Sequence, residues 1–139
     1  MDDGYVTTRP GSREYLFYHT PNADPAVIAS DEAGKDVYPD AGEGAGGFEM
    51  LFGAETRAIQ APVLVIMGAR DSQLMGKTCD CSSGAAIAQA EAPYYSREAR
   101  VEGCAVPHAG HSISLHRNHR VQEHVAVAWA RRMVGQVGR

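Results

Sequence analysis

Lysine is nearly missing from this sequence: Lys35 and Lys77 are the only two among 13 basic residues. No run of five basic residues occurs, and the formal net charge is -4. Nucleic-acid binding by phosphate neutralisation needs clustered cations, so that partner class is set aside. Long apolar runs are missing too. No stretch reaches the roughly twenty residues of a membrane-spanning helix, and no membrane partner is expected. Cysteine is scarce and odd in number (Cys79, Cys81, Cys104), which fits no disulfide framework and favours a reducing compartment. The opening Met1-Asp2-Asp3-Gly4 has neither the positive region nor the apolar run of a signal peptide. The expectation is a soluble, cytoplasmic protein.

What is present is enough for a packed core: 139 residues, 44% of them hydrophobic. Four glycines crowd into residues 39–47, where a helix would lose about 1 kcal/mol at each relative to alanine. This stretch reads as a linker inside an aromatic-rich N-terminal part, residues 1–55. The α/β part follows as residues 56–139. The linker has no Lys or Ser/Thr after its glycines, so it is not read as a phosphate-cradling loop.

Local signals place the elements. Pro10-Gly11 marks a turn, and Ser12 is positioned to cap a short helix through Tyr18. Asp24-Pro25 starts a second helix, running to about Lys35 with Val27 and Ile28 on one side. Asp31, Glu32 and Asp36 read as its solvated acidic face. Phe48–Phe52 reads as a short helix or apolar anchor. Val63–Met67 is apolar on both faces and bounded by Pro62 and Gly68, as in a central parallel strand. Ser82 or Ser83 caps an alanine-rich helix through Ala90, and Pro93 ends it. Arg100–Val106 is the next strand. Asn118 or His119 opens a last helix, with Val121, Val125, Ala128, Trp129 and Met133 at helical spacing and Gly135 behind it. The order strand, helix, strand, helix predicts a parallel α/β unit.

Two strand ends carry the chemistry. Ala61–Asp71 stops at a glycine and presents a carboxylate. Forty residues later, Val106-Pro107-His108-Ala109-Gly110-His111 stops in a Gly-His turn. Sites in open α/β sheets form at the carboxyl ends of strands. An Asp accepting from a His Nδ1–H fixes the tautomer and stabilises the imidazolium formed when Nε2 takes a proton. Asp71 and His111 are therefore the candidate catalytic acid and base.

These residues resemble the α/β-hydrolases. Ile59–Asp71 is similar to the strand that delivers that family's acidic triad member, and Val106–His111 to the strand end that delivers its histidine. Ala90–Tyr95 and the turn Asp80-Cys81-Ser82-Ser83 resemble a bacterial subgroup, whose lid region Gly4–Asp36 also resembles. The resemblance implies a partial three-layer α/β-hydrolase-like fold with a short parallel sheet and a helical lid-like segment. It implies hydrolysis of an ester-like or other acyl substrate, with no cofactor. It also exposes a departure. The family's triad runs Ser, Asp, His, with the serine in Gly-x-Ser-x-Gly. That motif occurs nowhere here, and about five strands of the family's fold would precede Met1. Asp80-Cys81-Ser82-Ser83-Gly84 lacks the first glycine and lies after the acid. The expectation is a truncated relative whose two-stranded sheet leaves an edge open, so that it pairs with another copy or a second chain.

Other constellations are weaker. His108, His111, His116, His119 and His124 fall within 17 residues. Their spacing is not the His-Glu-x-x-His pattern, Cys79-x-Cys81 is tighter than a Cys-x-x-Cys knuckle, and no metal is expected. His116, His119 and His124 read as solvated residues around a helix start. Cys79 and Cys81 before a helix N-terminus would have a lowered thiol pKa, the condition for a cysteine nucleophile. Two further functions fit the same residues: a non-catalytic binding or assembly module, and a His-Asp dyad acting as general acid and base in an isomerase or cyclase.

Overall fold

The computed structural model describes residues 4–39, 55–71 and 80–134. Phe48–Phe52, Cys79, Gly135 and the glycine-rich stretch after Pro39 lie outside them. The chain is mixed α/β. Its centre is a pair of parallel strands, β3 (Leu64–Gly68) and β4 (Glu102–Val106), with Leu64 opposite Glu102 and Gly68 opposite Val106. The β-branched and apolar run from Val63 suits a strand packed on both faces.

Helix α3 (Gly84–Glu91) follows β3, and Ser83 caps it by accepting a hydrogen bond at Oγ from Ala86 N–H at 3.1 Å. Its buried Ile87 packs with Met67 and Cys81, and Val65 and Ala105 join from the same sheet face. The approach is very close: a Cβ added at Gly84 would lie 2.2 Å from the Gly103 carbonyl oxygen. Helix α4 (Arg120–Val134) reaches the other face, where Arg132 pairs with Glu102. Along α4, Val121, Val125, Trp129 and Met133 are partly covered, whereas Ala128 is exposed.

The N-terminal part contains α1 (Arg13–Phe17) and α2 (Pro25–Ala33). Asp24 caps α2 by accepting from Ala26 N–H at 2.9 Å, with Pro25 in the first turn. Ser12 does not cap α1 with its side chain; its hydroxyl donates to the Arg9 carbonyl at 2.8 Å. The acidic residues of α2 are not a free solvated face. Arg13 binds both oxygens of Asp31, each at 2.8 Å, and lies over the Phe17 ring at 4.7 Å. Lys35 pairs with Glu32. Two planar N–H groups match a carboxylate's two oxygens, so the Arg13–Asp31 pair fixes α1 against α2. A short antiparallel ribbon, β1 (Tyr5–Val6) with β2 (Tyr38–Pro39), joins the two ends of this part. Only Pro39 of this ribbon falls in the expected linker, and two-residue strands are too short to show an alternating pattern.

Candidate functional site

The two predicted residues meet. His111 Nδ1 donates to Asp71 Oδ2 at 2.9 Å. Backbone hydrogen bonds set this distance. The turn after β3 is pinned to the loop after β4: Ala69 N–H donates to the Val106 carbonyl and Arg70 N–H to the Ala109 carbonyl, both at 2.8 Å. Asp71 N–H closes the turn on the Gly68 carbonyl at 3.0 Å. Both strands are parallel and end together, so the acid and the base emerge at the same edge.

The environments of the two side chains differ. Asp71 is buried, and its second oxygen, Oδ1, has no hydrogen-bond partner among the described residues. His111 keeps 41% of its side chain accessible. Its ring lies 5.7 Å from that of Phe17, and it opens on a cleft of about 320 Å3 whose other walls include Ile113 and Leu115. With Nδ1 committed to Asp71, the neutral ring carries its lone pair on Nε2. The hydrogen bond to Asp71 raises the His111 pKa above its ordinary 6.5; burial opposes this, and the Asp71 charge adds to it.

A raised folded-state pKa contributes stability that is full below about 6.5 and is lost as pH rises through the folded value. Solvent reaches the ring, which discounts the contribution. We expect the His111 ring resonances to titrate with a midpoint above 6.5, and Asp71→Asn to bring that midpoint to 6.5 or lower, because burial then acts alone. A midpoint insensitive to Asp71→Asn in an NMR titration would break the link between these residues.

The remaining histidines do not converge. His116 is not solvated: it is 1% exposed and holds the site together. Its Nε2 accepts backbone N–H groups from His19 at 2.9 Å and Gly110 at 3.1 Å, while Nδ1–H donates to the Ser112 carbonyl at 2.9 Å. One imidazole thereby ties the N-terminal part to the loop that carries His111. Asn22 and Asn118 assist. Asn22 Nδ2 donates to the His108 carbonyl at 2.9 Å, and Asn118 Nδ2 to the Pro107 carbonyl at 2.7 Å, around a turn in which His108 has φ 55. His119 Nδ1–H donates to the His116 carbonyl at 3.1 Å, and His108 stacks on His19 at 6.0 Å. Among the described residues no group of three or more His, Cys, Asp or Glu side chains is placed to hold a metal ion. Nothing in the local pattern marks His116, Asn22 or Asn118, because their partners lie across the fold or on the backbone.

The alternative nucleophiles are placed elsewhere. Cys81 is buried against Met67, with its sulfur 3.8 Å from Met67 Sδ, in the core beneath α3. Ser82 is exposed, and its backbone N–H donates to Asp80 Oδ1 at 3.0 Å. Among the described residues no serine, threonine or cysteine hydrogen-bonds the His111 ring.

No protein-family model matches the chain, and no curated protein sequence matches it. Among the described residues no helix is long and apolar enough to cross a membrane.

Proposed function

We propose that this chain supplies the acid and base of a hydrolytic site of the α/β-hydrolase kind, acting on an ester-like or other acyl substrate. The observation that carries this reading is the 2.9 Å hydrogen bond from His111 Nδ1 to buried Asp71 at the ends of adjacent parallel strands. Asp71 holds the imidazole in the tautomer whose Nε2 is basic and stabilises the imidazolium after proton transfer. The cleft beside His111, with Ile113 and Leu115 in its walls, receives the apolar part of the acyl group. In this reading β3, α3, β4 and α4 form the C-terminal part of the three-layer fold, and residues 1–55 are its lid.

The attacking group takes one of two forms. A serine or cysteine from outside the described residues, or from a second chain, attacks the carbonyl while His111 takes its proton. Alternatively, His111 activates water directly.

Turnover of an activated ester such as p-nitrophenyl butyrate by the full chain tests the reading. General-base catalysis by a positioned histidine contributes at least about a hundredfold, and His111→Ala is expected to remove that much. The wild-type rate should rise with pH through the raised His111 midpoint, because only the neutral ring accepts a proton. A fluorophosphonate adduct found by mass spectrometry identifies the nucleophile form, and turnover without an adduct identifies the water form. Equal turnover by wild type and His111→Ala would overturn both.

A further inference from the structure

A second cleft lies beside the dyad and is separate from it. It encloses about 490 Å3, with Glu14, Tyr18, His19, Thr20 and Arg70 in its walls. A smaller, more apolar cavity of about 310 Å3 shares Gly11, Glu14 and Thr20 with it and is floored by Pro25, Ile28 and Ala29 of α2. The two therefore form one groove with a polar end and an apolar end. Arg70 immediately precedes Asp71, and Tyr18 follows the Phe17 that contacts His111, so groove and dyad share two short segments.

The ion pairs of this region decide what the groove can recognise. Arg13 is used by Asp31, and Glu32 by Lys35. Arg70 and Glu14 remain: each lines the groove, and neither forms an ion pair with the other or with any described residue. Both are exposed, and a cation and an anion lining one open cleft complement a ligand that carries both charges. Burial, and then the nearby Arg70 charge, hold the His19 imidazole below its ordinary range. The lowering favours the uncharged ring beside the guanidinium. Glu14 sits where the polar and apolar cavities meet, so a positive centre bound there has its apolar substituent directed at Ile28 and Ala29.

We infer that this groove binds an apolar α-amino acid. Its carboxylate lies against Arg70, its ammonium against Glu14, and its side chain enters the cavity floored by Pro25, Ile28 and Ala29. This assignment does not depend on the dyad being catalytic.

Calorimetric titration of the full chain with L-leucine tests it. Hydrogen bonds to charged groups are worth enough that losing one weakens binding roughly tenfold or more. Arg70→Gln and Glu14→Gln are each expected to weaken leucine binding by at least that factor, while Arg97→Gln, at an exposed position outside both cavities, binds leucine as wild type does. On the wild-type protein itself, leucinamide and N-acetyl-leucine should each bind at least roughly tenfold more weakly than leucine, since each lacks one charge. No heat of binding at millimolar leucine would overturn the inference. So would equal binding of leucine, leucinamide and N-acetyl-leucine. Because the readout is binding, loss of ester turnover in His111→Ala leaves it standing, and failure of leucine to bind leaves the hydrolytic reading standing.

Discussion

Replacing His116 with alanine is expected to destabilise the protein by about 3 kcal/mol, measured as a lower urea midpoint at unchanged slope. The cost comes from what is left behind rather than from the lost ring. His19 N–H and Gly110 N–H both donate to Nε2, and the Ser112 carbonyl accepts from Nδ1–H. Alanine leaves the two N–H groups unpaired in a site that is 1% exposed, whereas the Ser112 carbonyl keeps the Leu115 N–H at 3.0 Å. Each buried unsatisfied group costs about 1–3 kcal/mol, and partial relaxation toward water recovers some of it. The ring also packs on Tyr18, 5.7 Å between centroids, and that contact is lost as well. His116→Gln should fall between wild type and His116→Ala, because an amide oxygen accepts from one of the two N–H groups. Activity should fall with stability, since Gly110 is the neighbour of His111. If His116→Ala unfolded within about 0.5 kcal/mol of wild type, the bonding drawn here for His116 would be wrong, because that is the range of a neutral surface substitution.

His116 also marks where sequence reading stops. Elements with local signals were legible. Asp24-Pro25 caps α2 as expected, Ser83 caps α3, and the apolar run before Gly68 is a strand. Asp71 and His111 were legible as a pair because both follow strands, and parallel strands bring their ends together. Residues whose role depends on distant partners gave no such signal. His116 sits in a polar run, Leu115-His116-Arg117-Asn118-His119, which reads as solvated. It is buried because His19, 97 residues away, donates to it. Asp31 reads as part of an acidic surface, and only the packing of α1 on α2 brings Arg13 to it. The hydrophobic pattern reports which face is covered; it does not report which polar group a covered polar group will meet.

Gly68→Ala is expected to have the largest effect on the site itself. Gly68 is the last residue of β3 and lies against the loop that carries His111. A Cβ built there would be 2.2 Å from the Gly110 carbonyl oxygen, 2.4 Å from that of Ala109 and 2.7 Å from the Ala109 carbonyl carbon. All three are backbone atoms, so no side-chain rotation relieves the contact. The strand ends must move apart, at a cost of about 3 kcal/mol, the upper range for overpacking a close contact. The same movement acts on the Arg70 N–H bond to Ala109 and then on the dyad, since Asp71 follows Gly68 by three residues and His111 follows Gly110. Gly68→Ala should therefore lower stability and also return the His111 titration midpoint toward 6.5 or below, by lengthening the bond to Asp71. Gly84→Ala separates the two effects. Its Cβ would lie 2.2 Å from the Gly103 carbonyl oxygen, an equally severe contact near the opposite end of β4. It should destabilise the packing of α3 on the sheet while leaving the His111 midpoint where it is in wild type. If the two variants shifted the His111 midpoint alike, loosening of the whole sheet would explain the change, and the close approach at Gly68 would not be what holds acid and base together.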